Sequence, residues 1–318
     1  EVEYDGATVR AYRDRPPSLF DLFDEAREDD PDRPFLTVPA YDYERTYAEF
    51  ADRVDSLAAG LEAAGLTADD RLAVLTSNRP AFVELVVAAA RLGVTVVPLN
   101  TELSAGELDY LLGDADPDVL VVEASHLATA REAGAEAVAD RIYVVDGDGP
   151  DRSYESLAVD GTPSADPPAE TATAVILYTS GTTGRPKGCL IDNFHVVNAA
   201  KNNAYSFGFA EGTRSFVPTP LFHVSGLISG LLSVLPVGGS VVVRDAFSPE
   251  SFLQTIEDYG VNYVMGVPTN YVLTVETASP ADYDRSSLET GTAAVGHRPS
   301  SASVATNSRP SARQSANT

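Results

Sequence analysis

The residues best suited to chemistry lie in one run of eleven, from Tyr178 to Gly188. The run reads Tyr-Thr-Ser-Gly-Thr-Thr-Gly-Arg-Pro-Lys-Gly. Its glycines allow backbone N–H groups to come close to a ligand, and its hydroxyl groups can donate hydrogen bonds to phosphate oxygens. Lys187 adds a positive charge, and the chain has only one other lysine, Lys201. The run therefore predicts a loop that binds phosphate groups.

A P-loop of the nucleotide-triphosphatase kind is the first alternative, and two positions exclude it. That motif requires Gly-x-x-x-x-Gly-Lys-Ser/Thr, but here Pro186 precedes the lysine and Gly188 follows it. A P-loop also joins a strand to a helix. Here residues 171–178 and 188–191 are both typical of strands, and a helix is predicted to begin only at Asp192 or Asn193. We therefore predict a phosphate-binding hairpin, with a glycine-rich surface turn as the simpler alternative.

The run resembles the phosphate-binding signature of the adenylate-forming superfamily, which includes acyl-CoA synthetases, aryl-CoA ligases, luciferases and peptide-synthetase adenylation domains. That signature is close to [Tyr/Phe]-Thr-Ser-Gly-[Ser/Thr]-Thr-Gly-x-Pro-Lys-Gly, and every fixed position is matched here. The resemblance covers about residues 15–294. It implies an acid–thiol ligase that uses ATP and Mg²⁺ to convert a small carboxylic acid to an acyl-adenylate and then, with coenzyme A, to an acyl-CoA.

The resemblance also implies roles for the residues of the run. Lys187 would neutralise the pyrophosphate as a catalytic residue. The residues expected to bind the β- and γ-phosphates of ATP, together with Lys187, are Thr179, Ser180, Gly181, Thr182, Thr183 and Gly184. No metal ligand is identified.

Three further segments resemble the family. Residues 220–226 imply that His223 lies near the acyl carboxylate as a second catalytic residue; a capping or packing histidine is the alternative. Residues 266–269 match a segment beside the acyl tunnel, although they also fit a strand-to-helix turn. Residues 291–294 resemble the turn that lines the adenine pocket. The implied substrate-binding residues are His223, Val224, Gly226, Gly266 and Pro268, and the implied adenine-pocket residues are Gly291 and Ala293.

Strand and helix patterns alternate along the chain, which predicts βαβ units and a mostly parallel sheet. Capping boxes at residues 46–49 and 104–107 begin two of the helices, and a glycine-containing helix is predicted over residues 222–235. With the resemblance, we predict an α/β fold of two packed, mostly parallel sheets with flanking helices. The predicted subdomains are residues 1–170, with a linker at 147–170, and residues 171–294, which carry the phosphate loop.

The chain of 318 residues has 47 acidic and 22 basic residues, giving a net charge of −25. Strong acidity with almost no lysine predicts a protein adapted to high salt, as in halophilic archaea, because salt screens the self-repulsion of its surface. A nucleic-acid partner is disfavoured, since there is no basic stripe. No apolar run is long enough for a membrane span. The acidic start and the single cysteine indicate a cytoplasmic protein.

Residues 295–318 differ in character from the rest of the chain, with three arginines and no acidic residue. They fit a disordered tail or, as we favour, an out-of-frame end. The family's Tyr-Gly-x-Thr-Glu segment, ribose-binding aspartate and C-terminal lid domain would follow residue 294, and none is found in this sequence. We therefore expect a truncated chain with little synthetase activity of its own.

Two other functions stay open. One is an amino-acid or aryl adenylation enzyme of the same fold, and the other is a non-catalytic nucleotide-binding remnant. The acid itself is not predicted: fatty, short-chain, aryl and betaine-type acids all fit, with fatty-acid metabolism as the expected setting. The oligomeric state is not predicted either.

Overall fold

The computed structural model describes residues 1–139, 141–147, 151–179 and 184–293. The strands are β1 (Val2–Tyr4), β2 (Ala7–Val9), β3 (Pro34–Val38), β4 (Tyr43–Thr46), β5 (Arg71–Leu75), β6 (Thr95–Pro98), β7 (Val119–Glu123), β8 (Arg141–Val145), β9 (Arg152–Ser153), β10 (Thr173–Thr179), β11 (Lys187–Asp192), β12 (Arg214–Val217), β13 (Ser240–Val243), β14 (Tyr263–Gly266) and β15 (Thr290–Ala293). The helices are α1 (Leu19–Asp29), α2 (Tyr47–Ala63), α3 (Pro80–Leu92), α4 (Ala105–Ala115), α5 (Leu127–Glu132), α6 (Ala135–Val138), α7 (Asn193–Phe207), α8 (Pro249–Tyr259) and α9 (Pro268–Thr277).

Two mostly parallel sheets organise the molecule, as predicted. The seven-stranded sheet has the order β11-β10-β6-β5-β7-β8-β9, and its only antiparallel pair is β10–β11. The six-stranded sheet has the order β15-β14-β12-β13-β3-β4, and its only antiparallel pair is β3–β4. A separate small hairpin is formed by β1 and β2.

The two sheets do not follow the two halves of the sequence. Strands β3 and β4 come early in the chain but join the six-stranded sheet through β13. Strands β10 and β11 come after residue 170 but join the seven-stranded sheet through β6. The predicted subdomain boundary at residue 170 therefore does not coincide with a boundary between the sheets.

Alternation along the strands explains why each sheet has helices on both faces. In β5, Leu72 and Val74 face the core between the sheets, which is filled by side chains of α1, α2, α3 and α7. Ala73 and Leu75 face the opposite way, toward α4, α5 and α6. The outer face of the six-stranded sheet packs against α8. The result is a layered α/β fold with its main core between the two sheets.

The predicted helix over residues 222–235 is present in altered form. Residues Ser225–Leu231 form a π-helix, and Leu232–Val237 continue as a 3₁₀-helix. The glycines of this π-helix lie close to neighbouring residues: a Cβ on Gly230 would lie 2.8 Å from Val217. Pro236 lies inside the 3₁₀ stretch, where a proline breaks α-helical hydrogen bonding. Such π-helical turns occur frequently at functional sites.

The predicted linker over residues 147–170 is partly built into the core. Residues Tyr154–Leu157 form a 3₁₀-helix, and both of its ends are buried. It lies against α2 at Gly60, where an added Cβ would be 1.6 Å from the Leu157 carbonyl oxygen. Only glycine fits at this contact.

Candidate functional site

The eleven-residue run forms the predicted hairpin as far as the structure describes it. Tyr178 pairs with Gly188 and Thr179 pairs with Lys187 across the antiparallel β10–β11 pair. The helix that follows, α7, begins only after β11 and is capped by Asp192. The strand–loop–strand arrangement confirms that the run is not a P-loop.

The described part of the loop leaves its functional groups open to solvent. Thr179, Gly184 and Lys187 are all exposed. A Cβ added to Gly184 would meet no atom of the described residues within 4 Å, so packing against these residues does not require a glycine there. These residues are therefore accessible to a ligand. The other predicted phosphate-binding residues lie outside the described ranges: Ser180, Gly181, Thr182 and Thr183.

Gly188, the last residue of the run, is explained by packing. An added Cβ would lie 2.9 Å from Ile176 Cγ2 and 3.3 Å from Cζ of Tyr178. The Tyr178 ring therefore lies across Gly188, and a side chain at residue 188 would displace it.

His223 follows β12 in a tight turn. Its backbone N–H donates to the Pro220 carbonyl oxygen at 3.2 Å, and its own carbonyl accepts from Leu227 at 2.9 Å. A Cβ on Gly226 would lie 2.2 Å from the Pro220 oxygen, so the turn requires glycine there. Val224 is also exposed. The predicted acyl-binding segment is thus a rigid turn that presents His223 and Val224 outward.

Part of the His223 side chain is open to solvent, while surrounding protein atoms exclude water from the rest of the imidazole. This desolvation lowers the pKa of His223 below its ordinary value, and the negative charge of Glu102 opposes the shift. Glu102 lies in the loop after β6, and β6 is the neighbour of β10 in the seven-stranded sheet. The loop after β6 therefore carries a negative charge that acts on the imidazole of the His223 turn.

Asn78, which the sequence analysis did not identify, fixes the chain beside His223. Its side-chain amide donates to the carbonyl oxygens of Thr219 at 2.9 Å and Arg244 at 3.0 Å. Its oxygen accepts from the Leu221 N–H at 2.8 Å. Asn78 is buried and follows β5, so it joins the two sheets. The sequence around Asn78 contains no local pattern that would have predicted this role, because its hydrogen-bond partners lie more than 140 residues away in the chain.

The third and fourth predicted segments meet at one tyrosine. Gly266 ends β14, and Gly291 lies on the neighbouring strand β15. Added Cβ atoms would lie 3.0 Å (Gly266) and 3.2 Å (Gly291) from Tyr271, whose hydroxyl donates to the carbonyl oxygens of Val264 and Thr292. Both glycines therefore have a packing role. Their predicted roles in ligand binding stay predictions.

Pro268 and Ala293 complete the predicted set. Pro268 is the first residue of α9, and the backbone N–H of Val267 before it donates to Asn270 at 2.8 Å. Ala293 pairs with Gly266 at the carboxyl end of β15. The strand-to-helix turn expected for residues 266–269 is thus present, and it lies beside the strand of the predicted adenine pocket.

The described residues show neither a metal-binding cluster nor a membrane-spanning helix. These contain no group of three or more His, Cys, Asp or Glu side chains placed to bind a metal ion. None of their helices combines the length and hydropathy needed to cross a membrane.

The two-sheet α/β fold with this hairpin at its edge is that of the large N-terminal domain of adenylate-forming enzymes. A structure from Rhodopseudomonas palustris that carries the name of a long-chain-fatty-acid CoA ligase superposes with a TM-score of 0.80 at 26% identity, covering 91% of this chain and 71% of that one. The N-terminal domain of FACL13 from Mycobacterium tuberculosis gives 0.79 at 25% identity, covering 86% and 68%.

The chain belongs to the AMP-binding enzyme family, whose model matches residues 23–313. A feruloyl-CoA synthase from an Amycolatopsis species is 36% identical over 77% of this chain and 48% of its own length. An indoleacetate–CoA ligase from Aromatoleum aromaticum is 32% identical over 76% of this chain and 48% of its own length. The chain thus spans about half the length of these relatives. The family match continues past residue 294 into residues outside the described ranges.

Proposed function

We propose that this chain carries the nucleotide-binding and acid-binding part of an ATP-dependent acid–CoA ligase. In that reaction a carboxylate oxygen attacks the α-phosphorus of ATP, and the bond to the bridging oxygen breaks to release pyrophosphate. A thiol, that of coenzyme A, then attacks the acyl carbon and AMP leaves. Family membership and the ligase relatives support this reaction class.

The observation that carries the proposal is the β10–β11 hairpin with exposed Lys187 at its end. Negative charge moves onto pyrophosphate as it leaves, and a fixed cation beside it lowers the energy of that step. The exposed Thr179 hydroxyl and the open backbone at Gly184 fit a role in holding phosphate oxygens. Mg²⁺, when bound with ATP, would supply further charge neutralisation.

His223 is proposed to orient the acyl carboxylate. Because the pKa of His223 lies below its ordinary value, the imidazole is neutral at neutral pH and can donate one hydrogen bond without adding a charge. The rigid turn fixed by Gly226 and Asn78 would hold this donor in place. Gly291 and Ala293 are proposed to line the adenine pocket from β15.

Two of the relatives make aryl-substituted acids the first substrates to test. The feruloyl-CoA synthase and the indoleacetate–CoA ligase are named for acids that carry an aromatic ring. An amino-acid adenylation enzyme has no comparable support among these relatives.

Binding is the first test, because it does not depend on turnover by this chain. We expect MgATP and inorganic pyrophosphate to bind the purified protein, as measured by isothermal titration calorimetry. Lys187→Ala should lower the affinity for MgATP and for pyrophosphate by about ten-fold or more, the size expected for losing a hydrogen bond from a charged group. Arg13→Ala, which removes an exposed positive charge outside the hairpin, is the matched control and should have a smaller effect.

Absence of binding by the unmodified chain would rule out the proposed nucleotide site. Equal losses in the two variants would mean that Lys187 acts only through general electrostatics. ATP–pyrophosphate exchange with ferulate, indole-3-acetate and hexanoate then tests turnover. Low exchange is expected of this chain, and binding without exchange would favour the nucleotide-binding remnant over a working ligase.

A further inference from the structure

The β10–β11 hairpin extends beyond the point at which β10 pairs with the rest of the seven-stranded sheet. Strand β10 pairs with its inner neighbour β6 at Val175 and Val96. Its pairing with β11 runs much further, to Thr179 and Lys187. The paired ends of β10 and β11, up to Thr179 and Lys187, therefore form a two-stranded ribbon at the sheet edge, and such ribbons are only marginally stable alone. Its direction must be fixed by something other than the sheet.

Helix α4 supplies that contact with two side chains one turn apart. The Tyr110 hydroxyl donates to the Pro186 carbonyl oxygen at 3.1 Å. Asp114 accepts from the Tyr178 hydroxyl at 2.8 Å. Residues four apart lie on the same face of a helix, so one face of α4 contacts the chain on both sides of the loop.

A third contact strengthens the contact with Tyr110. The Arg185 guanidinium lies over the Tyr110 ring, 5.1 Å from its centroid. Tyr110 therefore contacts two successive residues just before Lys187. Tyr178 lies on the other side of the loop, in β10, and Gly188 in β11 leaves the space in which its ring crosses to Asp114.

The rings of Tyr110 and Tyr178 pack against the core beneath α4, but their hydroxyl groups and the Asp114 carboxylate are not part of the apolar packing that holds the helix on the sheet. The core-facing residues of the helix are Leu108, Leu111, Leu112 and Ala115. Asp114 is exposed and Tyr110 is only partly buried. Removing either polar group should therefore leave the helix in place and release the hairpin.

We propose that Tyr110 and Asp114 are positioning residues that fix the direction of the phosphate hairpin and hold Lys187 ready for a phosphate ligand. The effect on nucleotide affinity rests on the proposed function, whereas the effect on the hairpin itself does not. Fixing a loop in its binding geometry before the ligand arrives lowers the ordering cost of binding.

Four variants of the full chain test this. Asp114→Ala removes the acceptor for Tyr178, and Asp114→Asn keeps one. Tyr110→Phe removes the hydroxyl but keeps the ring beneath Arg185. Asp109→Asn changes the charge of an exposed neighbour on the same helix and is the matched control. Each is studied by amide hydrogen exchange of peptides spanning the hairpin, by urea unfolding, and by calorimetry with MgATP and inorganic pyrophosphate.

We expect Asp114→Ala and Tyr110→Phe to speed amide hydrogen exchange in the hairpin. Both variants should also bind MgATP and pyrophosphate with about three- to ten-fold lower affinity, the range for one lost hydrogen bond. Their urea midpoints should stay close to that of Asp109→Asn. Asp114→Asn should restore affinity to within about two-fold, because its side-chain oxygen still accepts from Tyr178.

Hairpin exchange in both variants equal to that of Asp109→Asn would overturn the proposal. If the unmodified chain binds neither ligand, the proposed function fails, and hydrogen exchange alone decides the positioning role. Should Asp114→Ala not fold, Tyr110→Phe, which loses only one oxygen atom, carries the same test.

Discussion

At the scale of single residues, Gly226 limits the turn that presents His223. Its missing Cβ would lie 2.2 Å from the Pro220 oxygen, and backbone cannot yield as a flexible side chain can. We expect Gly226→Ala to lower the free energy of unfolding in urea by about 1–3 kcal/mol. Gly113→Ala is the control, because that glycine is inside α4 with open space around it. It should raise stability by about 0.5–1 kcal/mol, and a shift of the same sign in both variants would contradict the steric account.

His223 gives a prediction about pH. Because its pKa is lowered in the folded chain, the unfolded chain binds more protons between the lowered value and 6.5. The His223 contribution therefore makes the free energy of unfolding rise with pH across that interval. NMR titration of the ring should give a midpoint below 6.5, assigned by the signal lost in His223→Asn. Glu102→Gln should lower the midpoint further, and an unchanged midpoint in that variant would show that Glu102 does not act on the imidazole.

At the scale of helices and strands, local sequence patterns predicted where helices begin, because nearby residues determine these positions. The capping boxes at Thr46 and Ser104 begin α2 and α4, and each has both of its hydrogen bonds present. Pro268 begins α9 as expected. These signals depend on neighbours within one helical turn, which is why the sequence alone reveals them.

Long-range pairing was not predictable in the same way. Nothing near β3 indicates that it pairs with β13, more than 200 residues later. The π-helix at Ser225–Leu231 depends on contacts of its glycines with Pro220 and Val217. At the site, the sequence located the hairpin and the His223 turn. It missed Asn78, Tyr110 and Asp114, because their partners lie on other elements.

Helix α7 offers a prediction at the same scale. Asp192 caps it by accepting the His195 N–H at 2.8 Å, and Asp192 also accepts from Tyr4 of the N-terminal hairpin. Burial raises the pKa of Asp192, but the hydrogen bonds from Tyr4 and His195 outweigh it and hold the pKa below 3.8. Asp192→Ala should cost about 1–2 kcal/mol at neutral pH in urea unfolding.

Because the Asp192 pKa is lowered, the stabilisation by its carboxylate is present above pH 3.8 and is lost as pH falls through the lowered value. The difference between the unmodified chain and Asp192→Ala should therefore shrink under acid. Asp192→Ser, which retains a capping oxygen, should recover most of the loss. A Ser variant as unstable as Ala would show that the Tyr4 contact, rather than the cap, stabilises this helix.

For the whole molecule, a net charge of −25 sets the response to salt. Screening of like charges should raise the thermal unfolding midpoint as KCl increases from about 0.1 M to about 1 M, where the Debye length falls from about 10 Å to about 3 Å. If screening is the cause, most of the rise in the midpoint should occur at the lower KCl concentrations. Sucrose at the same concentrations carries no charge and should not reproduce this rise. A midpoint that falls with KCl would contradict adaptation to high salt.

The two lysines have opposite environments. Lys201 is 6% exposed, and its ammonium donates to the Asp14 carbonyl oxygen at 3.0 Å, whereas Lys187 faces solvent at the end of the hairpin. An amine-directed acylating reagent therefore has a single accessible lysine on the folded chain, apart from the α-amino group. Because the same ammonium group is proposed to bind phosphate, a bound phosphate ligand should slow the acylation of Lys187, and the rate of labelling would then report whether the site is occupied.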